Sequence, residues 1–248
     1  IWVMDAADGT ASRFTFDPSR ELSPLWSPDG NRLLFRPNRD GGVFNIYEKS
    51  SSGAGNEEQV YQSAEQKYPG DWSPDGRYLL YTIAPEKTGV DLWVLPLTGD
   101  RKPFPYLQTE ANETSGQFSP DEKWVAYVSN ESGRNEVYIQ SFPTPGGKRQ
   151  VSTNGGVAPR WRRDGKEVFY VSADRKMMAA SVRGQNPLEV GVPAPLFLVQ
   201  IMDANTTPSS RATYAVSSDG RRFLIALPAE MGRHYTVMMN WASGVRRR

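Results

Sequence analysis

Short runs of aromatic, aliphatic and β-branched residues alternate along this chain with clusters of Gly, Pro, Asp, Asn and Ser. Runs of this kind bounded by turn residues read as strands. No segment keeps a 3.6-residue apolar period, so helices are expected to be scarce. The clearest runs are Arg32 to Phe35, Arg77 to Thr82, Trp124 to Ser129, Glu167 to Val171 and Arg222 to Ala226. Each follows one copy of a five-residue phrase. The copies are Trp26-Ser27-Pro28-Asp29-Gly30, Trp72-Ser73-Pro74-Asp75-Gly76, Phe118-Ser119-Pro120-Asp121-Glu122, Trp161-Arg162-Arg163-Asp164-Gly165 and Val216-Ser217-Ser218-Asp219-Gly220. Their aspartates stand at 29, 75, 121, 164 and 219, in steps of 46, 46, 43 and 55 residues. About 18 residues past each aspartate comes a further strand-like run, such as Asn45 to Tyr47, Asp91 to Val94, Glu136 to Ile139, Met177 to Val182 and Tyr235 to Trp241. Weaker fourth runs follow in most units, as at Gln59 to Tyr61 and Arg149 to Val151.

Four short antiparallel strands in a unit of this length describe the blade of an all-β propeller. The phrase then belongs to the turn between the first two strands. Proline presets φ, the aspartate can accept from backbone N–H groups ahead of it, and glycine tolerates φ > 0. Its leading aromatic is suited to plug the space between blades. Trp26, Asp29, Gly30, Trp72, Asp75, Gly76, Phe118, Asp121, Trp161, Asp164, Gly165, Asp219 and Gly220 are therefore expected to be frame. Glu122 stands where the other units have glycine, so its turn should differ or carry strain. The run before the fifth phrase is about ten residues longer and reads as a polar loop near 200–210. Ile1 to Asp5 matches the third-strand pattern of Asp91 to Leu95, so the chain is expected to open inside a blade. The expectation is one domain over 1–248, truncated on its N-terminal side, within a full ring of six or more blades.

These residues resemble the TolB-type propeller repeat, also found in the propellers of prolyl-oligopeptidase-type peptidases. The resemblance covers essentially the whole chain. Val125 to Tyr138, Pro159 to Glu167 and the closing Asn240 to Gly244 are most similar to the C-terminal propeller of membrane-anchored bacterial serine/threonine kinases. That resemblance implies an extracytoplasmic, periplasmic sensor or protein-interaction region, tethered to the inner membrane through upstream sequence. The alternatives are a free-standing periplasmic TolB-like binding protein and the substrate-gating propeller of a peptidase.

Composition narrows the chemistry. The net charge is +1 and charged residues are 23% of the chain, so no global field favours nucleic acid or an acidic surface. Arg160, Arg162, Arg163 and Lys166 do cluster around Trp161, but read better as a solvated blade edge than as a nucleic-acid site. There is no cysteine, and no apolar run approaches the length of a membrane helix. Kinase motifs and a Gly-x-Ser-x-Gly elbow are missing, and His234 is the single histidine, so catalysis by these residues is not expected. No cofactor or metal is expected either. Each unit offers one aspartate whose turn role accounts for it, and Asp203 with Asn205 is the weaker alternative site.

In a propeller the first strand of each blade borders the central channel. Five residues before the plug stand Glu21, Lys67, Glu113, Gly156 and Arg211; one before it stand Leu25, Asp71, Gln117, Arg160 and Ala215. These positions vary in charge within a repeating frame, as grafted binding chemistry does. Glu21, Lys67, Asp71, Glu113, Gln117, Arg160 and Arg211 are thus the candidates for holding a protein, peptide or small-ligand partner at the channel mouth. For Asp71, Gln117 and Arg160 the alternative role is hydrogen bonding between blades.

Overall fold

The computed structural model describes residues 1–5, 8–39, 42–85, 89–184, 187–199, 214–226 and 235–238. Among them every regular element is a strand. β1 (Trp2–Met4) and β2 (Ala11–Arg13) form a two-stranded sheet. β3 (Glu21–Trp26), β4 (Arg32–Pro37), β5 (Ile46–Ser50) and β6 (Glu58–Tyr61) form a four-stranded antiparallel meander. The next is β7 (Lys67–Trp72), β8 (Tyr78–Ile83), β9 (Asp91–Pro96) and β10 (Phe104–Leu107). The third is β11 (Glu113–Phe118), β12 (Trp124–Ser129), β13 (Glu136–Ser141) and β14 (Arg149–Gln150).

The fourth meander has β15 (Gly156–Trp161), β16 (Glu167–Ser172) and β17 (Lys176–Arg183). Two short strands then share the edge of β17: β18 (Glu189–Val190) pairs with its far end and β19 (Ala194–Leu198) with its near end. β20 (Tyr214–Val216), β21 (Phe223–Ala226) and β22 (Tyr235–Met238) make a three-stranded sheet. The polar stretch 200–213, with Asp203, Asn205 and Arg211, lies outside the described residues, as do His234 and Trp241.

The core lies between neighbouring sheets, not inside one. Leu34 and Ile46 pack on Trp72, Leu79 and Tyr81; Leu80 and Val94 on Phe118, Val125 and Tyr127; Ala126 and Ile139 on Val168 and Tyr170. Second strands are therefore covered on both faces, and all six residues of β12 are buried. The first strands β3, β7, β11 and β15 pack side by side.

All five phrases form the same turn. The N–H of residue 30, 76, 122, 165 or 220 donates to the carbonyl three residues earlier at 2.8–2.9 Å. φ at that residue is 72, 77, 59, 72 and 71° in turn. Glu122 thus adopts the glycine conformation and bears its cost; the turn does not change shape. The aspartate accepts from the N–H two residues on at 2.9–3.3 Å, as expected. In four units the serine hydroxyl donates to the aspartate at 2.5–2.7 Å and accepts from the N–H five residues on at 2.9–3.0 Å. Arg162 replaces that serine in the fourth unit and donates to Asp164 from two nitrogens, at 2.6 and 2.7 Å.

The plugs are unequal. Trp72 and Phe118 are buried, and Trp161 is half-buried against the core between the third and fourth meanders. Trp26 departs from its expected role. It is 47% exposed, beside a sheet of which two strands are described. In the fifth unit Val216 is partly buried, and Tyr214, two residues earlier, fills the core with its hydroxyl donating to the Ala158 carbonyl at 2.8 Å.

Candidate functional site

The first strand of each meander carries an irregularity at the same place. Pairing with the second strand slips between Leu22 and Leu25, Pro69 and Asp71, Thr114 and Gln117, and Val157 and Arg160. Ser23, Ser115 and Ala158 take φ of 54–56° at these slips. The β7 slip has Pro69 at that position, where the ring forbids φ > 0, and Gly70 beside it. A bulge adds one residue and so reverses which face later side chains take.

Beyond the bulge, the first strands converge on one cavity of about 280 Å³. It is lined by Leu25 from β3, Asp71 from β7, Gln117 from β11, Arg160 from β15 and Tyr214 from β20. Three of the seven candidate residues, Asp71, Gln117 and Arg160, are brought together here. The Asp71 carboxylate accepts from the Phe118 N–H at 2.8 Å, tying the second meander to the third. Gln117 donates back to the Gly70 carbonyl at 3.2 Å, and its own carbonyl accepts from the Trp161 indole N–H at 3.2 Å. The Arg160 guanidinium donates to the neighbouring Pro159 carbonyl at 2.8 Å and lies 5.8 Å from the centre of the Tyr214 ring. Asp71 and Gln117 therefore hold the ring together as well as line it. Among the described residues Arg160 donates a hydrogen bond to no other sheet, and no carboxylate lies within 4.0 Å of it.

Removal from water pushes the Asp71 carboxyl up to about 7, against the Phe118 N–H and the attraction of Arg160, which both pull it down. The cavity thus holds an acid that titrates near neutrality opposite a fixed cation.

Glu21, Lys67 and Glu113 fall on the other side of the bulge and are corrected from mouth to wall. Glu21 is bonded to Thr15 and Arg39. Lys67 is fully buried, donates to the Ser63 and Glu65 carbonyls, and has its pKa lowered by burial to about 8. Glu113 is 2% exposed and accepts from Thr109 at 2.6 Å, with burial raising its pKa. Arg211 lies outside the described residues. Tyr214 was not among the candidates, because the aromatic sought in its unit was at 216. Among the described residues no group of three or more His, Asp or Glu side chains is placed to hold a metal ion, and no helix is long and apolar enough to cross a membrane.

Solved structures share this architecture. TolB from Acinetobacter baumannii superposes with a TM-score of 0.75 at 16% identity, over 96% of this chain and 56% of that one. The fold is a TolB-type β-propeller. Its meanders are blades, and the cavity is its central channel. An oligogalacturonate lyase in complex with manganese superposes at TM-score 0.58 and 15% identity, over 100% of this chain and 83% of that one. A puromycin-hydrolyzing peptidase from Mycobacterium tuberculosis does so at 0.63 and 16%, over 88% and 38%. This propeller spans little more than half the length of the A. baumannii TolB. No protein-family model matches the chain, and no curated protein matches it in sequence.

Proposed function

We propose that this propeller is a non-catalytic binding region, which takes a small ligand or the end of a protein or peptide partner at its channel. The observation that carries the reading is the contrast inside the first strands. Their turns repeat one phrase, while the residues one before the plug are Leu25, Asp71, Gln117, Arg160 and Ala215. Four blades supply the frame bonds, and Arg160 supplies a cation that the frame does not consume. An anionic or carbonyl-bearing group is the chemistry it accepts. A cavity of this size fits a small ligand or a chain terminus.

The sequence likeness of Val125 to Tyr138 and Pro159 to Glu167 supports the wider setting. There the propeller forms the extracytoplasmic C-terminal sensor of a bacterial receptor serine/threonine kinase, tethered to the inner membrane by preceding sequence. The complete reading frame tests that setting. A kinase domain followed by one apolar stretch of about 20 residues upholds it; an export signal alone transfers the propeller to a free-standing periplasmic binding protein.

The channel is tested separately. Small anions and peptides with free carboxyl ends are screened by thermal shift against the wild type and Arg160→Ala. Ligands of the channel should raise the wild-type melting temperature and lose about tenfold or more in affinity with Arg160→Ala, while the variant alone melts close to wild type. A ligand that stabilises both proteins equally would remove Arg160 from the site.

A further inference from the structure

A second cavity, of about 880 Å³, opens between the third and fourth blades on the side of the repeated turns. Its floor is apolar: Trp124, Val182 and Leu188 line it and are buried. Its rim carries Arg163 and Lys166 from the fourth turn and Arg183 from the end of β17, all three exposed. The Lys166 carbonyl accepts from the Val182 N–H at 2.8 Å, which sets the turn beside the end of β17. Among the described residues, none of these three side chains makes a hydrogen bond or an ion pair.

The carboxylates of the same groove are already engaged. Asp121 accepts from Ser119 and the Lys123 N–H. Asp164 takes two bonds from Arg162, and Glu167 takes a third from it at 2.6 Å. Arg162 at the serine position thus offsets one of these two charges, and none of the rim cations lies within 4.0 Å of a carboxylate among the described residues.

We propose that this groove binds an extended acidic peptide segment, with carboxylates on Arg163, Lys166 and Arg183 and alternate apolar side chains on the floor. The volume suits several residues and exceeds what a single small anion fills. Cations around an apolar floor match a chain that alternates acidic and apolar side chains. A nucleic-acid strand fits less well. A phosphate–sugar strand brings no apolar side chains to the buried floor, and the Trp161 indole at the edge is fixed through its N–H to Gln117.

The probe is a fluorescein-labelled peptide of alternating Glu and Leu, titrated by anisotropy at about 25 mM and about 150 mM salt. Arg163→Glu, Lys166→Glu and Arg183→Glu alter exposed, unbonded side chains. Each should weaken binding by about five- to tenfold, and the triple variant should abolish it. Lys102→Glu on the second blade should leave affinity within about twofold. A benzophenone in the peptide should crosslink to residues 161–167 or 181–184. The proposal is overturned if the peptide does not bind, if Lys102→Glu weakens it as much as the rim variants, or if the crosslinks map elsewhere. Displacement by oligothymidylate or inorganic phosphate at equal concentration overturns it as well.

Discussion

Replacing Asp71 by Asn should stabilise this propeller at neutral pH and leave it unchanged in acid. The carboxyl lies in the channel wall with its pKa raised from 3.8 to about 7 by lost hydration. Between those values the unfolded chain releases a proton that the folded chain keeps. Stability of the wild type therefore falls as pH rises from about 4 to about 7, and is level above that. At about 1.36 kcal/mol per pKa unit the full span is about 4 kcal/mol. Water reaching the partly exposed carboxyl through the channel reduces it toward about 2 kcal/mol. Asn keeps an oxygen for the Phe118 N–H, so the bond between the blades survives. Ala does not, and should cost about 1–3 kcal/mol at pH 4, where the charge is already absent. Urea unfolding of wild type, Asp71→Asn and Asp71→Ala at half-unit steps from pH 4 to 8 reads all of this. A difference between wild type and Asp71→Asn that stays flat with pH would refute the reasoning.

Other substitutions separate frame from ornament. Trp72→Ala empties a fully packed space between the first and second blades and should cost about 3–5 kcal/mol, whereas Trp26→Ala, half in water, should cost about 1 kcal/mol or less. Equal losses in denaturant titrations would contradict the exposure of Trp26. At residue 122, glycine relieves the positive φ but loses the hydrogen bond the Glu122 carboxylate accepts from the Asp75 N–H at 2.5 Å and its ion pair with Arg77 at 3.6 Å. Alanine loses the bonds and keeps the strain, so Glu122→Ala should unfold about 1 kcal/mol more easily than Glu122→Gly. The same melt series measures it, and the reverse order would mean that φ at this turn is not a cost.

The frame was legible in the sequence because its signals are local. Serine, aspartate and glycine of the phrase bond within five residues of one another, so side-chain type and spacing suffice to place the turn. The channel was half legible. Positions five and one before the plug are four residues apart and should share a face in a regular strand. The bulge between them reverses the parity, which sends Lys67 and Glu113 into the wall and leaves Asp71 and Gln117 at the channel. Its trace is the Pro or Gly two residues before each aromatic plug: Pro24, Gly70, Gly116 and Pro159. Gly116 shows the packing behind it, since a Cβ there would meet Leu80 at 2.4 Å. Tyr214 left no trace in the repeat, because it fills its space from a position where the other blades have no aromatic. Exposure of Trp26 depends on what the neighbouring sheet contains, which no pattern within its own unit states.

Asp71 and Arg160 share one cavity without forming an ion pair, so the proposed binding of an anion at Arg160 predicts a coupled proton. An anion drawn to Arg160 adds negative charge beside Asp71 and cancels part of the cation's pull. The Asp71 pKa then rises above about 7, so the complex takes up a fraction of a proton between about pH 7 and 8. Calorimetric titrations of any channel anion in triethanolamine and in Tris at about pH 7.5 should give different heats, the difference scaling with buffer ionisation. Asp71→Asn should give equal heats in both buffers while still binding. A buffer dependence that persists in Asp71→Asn would assign the proton to another group. Equal heats in the wild type would mean that the anion sits beyond reach of Asp71, and so outside the ring of first strands that Arg160 helps to line.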